Sequence, residues 1–282
     1  MPEEQGPLLV TRPSPEIVVA ALHRPHRMNA LTEGMFRALA DLCAELRADT
    51  SARVLLLTGT GTNFCSGYDL DEAGRIAALP PAELLRLLER QSAAVTGLRD
   101  VPQPVLAAVD GVAVGAGLSL ALAADLRVVT ARARLQASFV NMGLSGGDMG
   151  ASWLLPRLTG LGFASEMMLT GRFVAADEAL AHGLANTVAD PDDLHTTALG
   201  LARHIAAHSP VAVALTKRVL QANADAPSLA VALEREAPLQ TVAARSPHIR
   251  QAVADFRSSR PAGDTGNAPD AAPLTPTTPT EN

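Results

Sequence analysis

The sequence predicts an α/β protein: a parallel sheet assembled from βαβ units in the first half, then a succession of helices. Three observations carry this. Up to about residue 160, short aliphatic, β-rich runs alternate with segments of helical period. From about Gly162 the chain is mostly helical in pattern. Apolar residues make up 48% of the 282 residues and charged residues 18%, enough for a substantial core and incompatible with wholesale disorder.

The elements follow in order. EIVVAALH (16–23) reads as a strand, and TEGMFRALADLCAELRAD (32–49) as a helix behind an N-cap Thr32. ARVLLLTGT (52–60) has the pattern of a buried strand. PPAELLRLLERQSAAVTGLRD (80–100) opens on prolines suited to a helix's first turn. PVLAAVDGVAV (104–114) predicts a strand, GLSLALAAD (117–125) a short apolar helix and LRVVTA (126–131) another strand. Strands alternating with helices in this way imply parallel pairing. FASEMMLTG, AADEALAHG, DDLHTTALGLARHIAAHS, PVAVALTKRVLQANA and SLAVALEREAPLQTVAARS are helical segments. The expected organisation is a core over residues 1–205, a C-terminal helical region over 206–259 and a disordered tail over 260–282, rich in Pro, Thr and Ala, with nothing to bury.

Composition narrows the function. The net charge is −6 with no basic block and aromatics are 3%, so neither a phosphate-backbone footprint nor a base-stacking platform is present, and no nucleic-acid partner is expected. Cys43 and Cys65 are too few for a disulfide framework and suit a reducing compartment. The start, MPEEQGPLLV, carries acids where a secretory signal has positive charge, and the longest apolar stretches are interrupted by Asp110 and glycines. A cytoplasmic protein without a membrane partner is the expectation. No Cys/His cluster suggests a metal site.

Two glycine-bearing turns each follow a predicted strand: TGTGTNFCSGYDL (58–70) and DGVAVGAGLSLALAAD (110–125). Neither completes G-x-G-x-x-G, since Gly59-Thr-Gly61 meets Phe64 and Gly115-Ala-Gly117 meets Leu120. What remains is a pair of strand-to-helix turns whose free amides can converge on one point, the arrangement that stabilises negative charge developing on a carbonyl oxygen. Spacing alone does not separate this from glycines that simply permit tight turns.

HRPHRMNAL (23–31), NFCSGYDL (63–70), DGVAVGAGLSLALAADLRV (110–128) and GLSGGDMGASWLLPRL (143–158), in that order, resemble the crotonase family of enoyl-CoA hydratases and isomerases, over residues 8 to 258. The resemblance implies a spiral of ββα units with a C-terminal helical region that builds homotrimers, often paired into homohexamers. It implies that Tyr68 and Ala116 donate the two oxyanion amides. An acyl-CoA substrate would lie along HRPHRMNAL and CSGYDL, near His26, Arg27, Ala30, Ser66 and Leu70, with coenzyme A entering as part of the substrate and no separate cofactor. A thioester on a carrier protein's phosphopantetheine arm is the alternative substrate. A position that is often basic in relatives is Asp71 here.

The same resemblance places the two hydratase glutamates at Ser119 and Phe139. Serine is no base at neutral pH and phenylalanine cannot transfer a proton, which argues against a two-glutamate hydratase. Asp148 is the acid left. It aligns with an aspartate of several non-hydratase branches, where it moves a proton or attacks carbon, and the GAG and WLLPR wording is nearest to the epoxide isomerases. Asp148 can also cap the helix expected near Gly150, a role compatible with catalysis. The expected activity is therefore an acyl-CoA isomerisation with Asp148 as acid and base. Alternatives are hydration or thioester hydrolysis using Asp148, or acyl-CoA binding without turnover. Lesser candidates are Glu72 as a wall of an acyl tunnel, Trp153 as core or pocket wall, Lys217 as a CoA or subunit contact, and Cys65 beside the first turn.

Overall fold

The computed structural model describes residues 6–249 and 253–254. The anticipated disordered tail, 260–282, lies outside the described residues. Two sheets organise the chain. In the first, β1 (Leu8–Ser14) pairs antiparallel with β2 (Ile17–Leu22), and β3 (Val54–Gly59), β4 (Val105–Val109), β6 (Leu126–Thr130) and β9 (Thr187–Ala189) continue in parallel, giving the order β1-β2-β3-β4-β6-β9. In the second, β5 (Val112–Val114), β7 (Arg134–Gln136) and β8 (Phe173–Ala175) form a three-stranded sheet.

The predicted strand at 104–114 is thus two strands in different sheets. The chain crosses at Asp110–Gly111, where the Asp110 carboxylate accepts from Gly111 N (2.9 Å) and Thr130 Oγ1 (2.7 Å) and satisfies the groups that the crossing frees. A run of apolar residues looks the same whether it stays in one sheet or changes sheet, because both faces are buried either way. β1, β7, β8 and β9, none of them anticipated, are short or mostly unburied.

The first sheet is covered on both faces. Val18, Ala20, Leu22, Leu55 and Leu57 point to a large core shared with α1 (Glu33–Ala48), α3 (Pro81–Asp100) and α4 (Ala116–Ala123). Ile17, Val19, Val54, Leu56 and Leu106 point the other way, to Ala198, Leu199 and Ala202 of α8 (Leu194–Ala206). This is the period-two alternation of a strand with apolar residues on both sides. Thr32 caps α1 through its hydroxyl, which accepts from Met35 N at 3.4 Å, as its position before the helix predicts.

Four further helices precede α8: α2 (Leu70–Ala77), α5 (Ala151–Thr159), α6 (Leu161–Thr170) and α7 (Ala176–Ala181). α9 (Pro210–Asn223) and α10 (Leu229–Ala244) lie beyond α8, and α10 buries no residue of its own. Lys217 anchors α9. Its buried ammonium donates to Leu98 O (3.2 Å), Gln103 O (2.9 Å) and the Asp125 carboxylate (2.9 Å), which makes it a structural strut rather than a CoA contact. Among the described residues, no helix is long and apolar enough to cross a membrane.

Candidate active site

The two glycine turns are held side by side by an isolated parallel bridge between Cys65 and Ala113 of β5. Cys65 N donates to Val112 O (2.9 Å) and Val114 N donates to Cys65 O (3.0 Å). Glycine is required where the turns touch. A Cβ on Gly67 would lie 2.9 Å from Val114 O and 3.7 Å from Ala116 N, and one on Gly117 would lie 2.4 Å from Cys65 O. These glycines serve close approach of backbone to backbone, which spacing in the sequence does not reveal.

The turns leave two amides free. Around Tyr68, the bridge to Leu31 uses Gly67 O (from Leu31 N, 2.7 Å) and Asp69 N (to Leu31 O, 3.0 Å). Because groups alternate sides along an extended strand, the Tyr68 N–H faces away from Leu31, and no partner for it occurs among the described residues. Ala116 is the first residue of α4, where helix geometry leaves amides unpaired and the dipole favours a negative oxygen; the first bonded amide of this turn is Ser119 N, to Gly115 O at 3.0 Å. Two amides without partners among the described residues therefore lie on adjoining turns.

Asp148 precedes α5 but does not cap it. The N-cap is Gly150, which receives no side-chain bond, and Asp148 contributes only its carbonyl, accepting from Ala151 N at 3.0 Å. The turn is strained: Met149, buried and not a glycine, has φ +46°. Burial pushes the Asp148 carboxyl above the ordinary carboxylate range, and the Tyr68 hydroxyl and Met149 N–H oppose that in part. The Tyr68 phenol is itself pushed up, first by burial and then by the Asp148 carboxylate. No hydrogen bond of normal geometry joins the two groups, and the buried Tyr68 hydroxyl has no partner among the described residues. Catalytic hydrogen bonds are often long before substrate binds.

Ser119 and Phe139 are both buried, and the Ser119 hydroxyl has no partner among the described residues. No carboxylate occupies either position. On the other flank, His26 and Arg27 lie exposed in a short 3-10 turn, Pro25–Arg27. The Arg27 guanidinium is engaged by Asp71 and, at 3.4 Å, by Asp69, so an incoming phosphate has to compete for it. Ala30 is buried with both backbone groups bonded, to Arg27 O (3.0 Å) and from Arg24 (2.7 Å). Ser66 bonds Met28 O through its amide (3.0 Å), while Leu70 is exposed at the start of α2. A residue the sequence did not single out organises this flank. Asn29, fully buried at φ +55°, donates to Thr60 O (2.9 Å) and Asn63 O (2.8 Å) and accepts from Arg24 N (2.9 Å), tying HRPHRMNAL to the first turn. An asparagine in a loop of His, Arg and Pro was its one available signal.

The other candidates resolve physically. The Cys65 thiol is buried and pushed up to about 12, so it is inert as a nucleophile. Trp153 is 38% exposed beneath the Arg157 guanidinium, 3.8 Å from the ring centre, and is neither core nor pocket wall. Glu72 accepts from Glu33 N (3.2 Å) and lines a cavity of about 330 Å³ with Glu33, Arg75, Arg90 and the buried Gln91. Tyr68, Ala116 and Asp148 are not among the residues that line it. Gln91 is four residues before Val95, which a Cβ on Gly150 would meet at 3.6 Å, and Glu33 is three before Phe36, whose ring centre is 5.6 Å from that of Tyr68.

Comparison with known proteins gives the family. The enoyl-CoA hydratase/isomerase family model matches residues 13–263. A protein of Mycobacterium leprae named a probable enoyl-CoA hydratase is 37% identical over 254 residues, covering 88% of this chain and 86% of its own. The 1,2-epoxyphenylacetyl-CoA isomerase of Escherichia coli K12 is 34% identical over 251 residues, covering 89% and 95%. The crystal structure of a monofunctional enoyl-CoA isomerase from Mycobacterium smegmatis superposes with a TM-score of 0.70 at 36% identity, covering 81% and 99%. On the family match and these identities, the chain belongs to the enoyl-CoA hydratase/isomerase (crotonase) family, with its fold.

Proposed function

We propose that this protein is an acyl-CoA isomerase that shifts a double bond through an enolate held by the Tyr68 and Ala116 amides, with Asp148 as the acid and base. The carrying observation is Asp148: a half-buried carboxylate on a strained turn that caps no helix, in a site where Ser119 and Phe139 supply no acid. The reaction then runs as follows for a 3-enoyl thioester. The carboxylate removes a proton from C2, and the electron pair moves onto the thioester oxygen, which the two amides receive. Asp148, now carrying the proton, delivers it to C4, and the double bond forms between C2 and C3. Acid–base assistance of this kind contributes roughly 10²- to 10⁴-fold. Two of the compared relatives bear isomerase names, in line with this reading.

In this reading coenzyme A enters as part of the substrate along His26, Arg27, Ala30, Ser66 and Leu70, and no further cofactor is needed. The protein acts in the cytoplasm as a homotrimer or homohexamer, for which the uncovered apolar residues Leu229, Leu233 and Val242 of α10 speak. The name of the Mycobacterium leprae relative favours a second reading, in which Asp148 activates water for hydration or hydrolysis. Incubation with a 3-enoyl-CoA separates them. Growth of conjugated 2-enoyl absorbance, abolished by Asp148→Asn, supports isomerisation; 3-hydroxyacyl product or free thiol supports the second reading. Full activity of Asp148→Asn sinks both.

A further inference from the structure

We propose that the cavity between α1, α2 and α3 is a binding site for a short carboxylate that also carries a hydroxyl. The guanidiniums of Arg75 and Arg86 take the carboxylate, and the buried Gln91 amide accepts from the hydroxyl. The cavity measures about 330 Å³, at the lower end of ligand pockets, so its occupant is small.

Gln91 carries the argument. Leu87, Gln91, Ala94, Val95 and Leu98 form the buried stripe of α3, and Gln91, 2% exposed, is its one polar side chain. Its Oε1 has no hydrogen-bond partner among the described residues. Gln103 is also buried with an unpartnered Oε1, but its work is evident: its Nε2 donates to Leu46 O (2.8 Å), Asp49 O (3.2 Å) and Ala52 O (3.3 Å). Gln91 makes no such bonds among the described residues. A leucine there would complete the stripe, whereas an unpartnered buried amide costs stability. The amide lines the cavity, so the partner it lacks is one that enters there.

Charge at the opening decides what enters. The guanidiniums of Arg75, Arg86 and Arg90 line it, with the carboxylates of Glu33, Glu72 and Glu83. Two of the carboxylates are engaged: Glu33 lies 3.5 Å from Arg37 and 3.9 Å from Arg90, and Glu72 accepts from Glu33 N at 3.2 Å. Among the described residues, Arg75 and Arg86 have no carboxylate partner and Glu83 has no cation, which leaves cations in excess. Arg86 and Arg90, four residues apart on α3, repel one another across a single turn, and an anion between them relieves this. A planar carboxylate meets a guanidinium through two parallel hydrogen bonds. Leu79 and Leu87 give the carbons of the ligand an apolar wall.

Such a group has two sources, a free hydroxy acid or the far end of an acyl group. The second rests on the proposed function and the first does not. Gln91 lies one helical turn, about 6 Å, before Val95 on the same stripe, and a Cβ on Gly150, two residues from Asp148, would meet Val95 at 3.6 Å.

Saturation-transfer NMR with 3-hydroxybutyrate, butyrate and inorganic phosphate tests the site on the wild type, Arg86→Gln and Gln91→Leu. The expected result is binding of 3-hydroxybutyrate in preference to the other two, weakened at least about tenfold in either variant. Tm rises in Gln91→Leu and is unchanged in Arg86→Gln, so lost binding is not lost folding. The ratio of kcat/KM for 3-hexenedioyl-CoA to that for 3-hexenoyl-CoA separates the sources. Arg86→Gln lowers it about tenfold if the acyl end is the occupant, and leaves it unchanged if a free acid is. Equal binding of the three small probes, or probe affinities and a kcat/KM ratio that neither variant changes, overturns the inference. If neither enoyl-CoA turns over, the isomerase reading falls and the binding measurement alone decides the cavity.

Discussion

Cys65 and Ala113 form a single parallel bridge, and that bridge sets the distance between the two amides on which the proposed chemistry depends. It joins the turn after β3 to the strand before α4, segments almost fifty residues apart in the chain. Cys65 contributes mainly through its backbone, and its thiol accepts from Gly67 N at 3.4 Å; the glycines let the turns approach.

Gly67→Ala therefore disables the site without touching a side chain. The added methyl lies 2.9 Å from Val114 O, at a backbone φ of +97° that disfavours any side chain. Relief moves the Tyr68 amide away from Ala116. Loss of one oxyanion donor elsewhere costs about 10² to 10³ in kcat, and the same range is expected here. Steady-state kinetics on a 3-enoyl-CoA measures it, with Gly162→Ala, where a Cβ meets nothing within 4 Å, as the control.

Asp148→Asn lowers kcat by roughly 10²- to 10⁴-fold with little change in KM, because the carboxylate acts on the proton and not on thioester binding. In the wild type, activity falls with decreasing pH as Asp148 takes up a proton. Burial raises its proton affinity, so the acid limb lies above the ordinary carboxylate value of 3.8. Initial rates across pH locate the limb, and a limb at or below that value contradicts a buried base.

The same shift makes a stability statement with a definite sign. A carboxyl whose proton affinity is higher folded than unfolded favours the folded state below the unfolded value of 3.8, and that contribution is lost as pH rises through the folded value. Asp148→Asn has no such loss, so its Tm relative to wild type rises over this window. Thermal melts of both proteins at matched pH measure the difference. A helix-capping Asp148 predicts no such rise, because Asn caps a helix about as well as Asp.

Much of this was legible in the sequence, and the gaps have physical reasons. β2, β3, α1, α3 and α4 follow from periodicity and caps, because each buries a long apolar face. β7, β8 and β9 have three residues each, too few for a period to show. The amide pair at Tyr68 and Ala116 was legible only through family resemblance, since an amide has no residue identity. Asn29 was missed because its work is done on backbone carbonyls of another loop.

Lys217→Met tests how the C-terminal helices are attached. The ammonium pairs with Asp125 at 2.9 Å and bonds two backbone carbonyls, while α9 buries no other residue and α10 none. Removing it strands Asp125, which keeps a bond from Val105 N at 2.8 Å and is 22% exposed. That residual solvation puts the cost at about 2–3 kcal/mol, below the 3–5 kcal/mol of a fully buried broken pair. Urea denaturation reads the loss, and sedimentation of the same variant reads its assembly. If α9 and α10 carry the subunit contacts, the variant dissociates at protein concentrations where the wild type does not, while kcat of the remaining assembled fraction is unchanged. A destabilised variant with wild-type assembly would place the subunit contacts elsewhere on the chain.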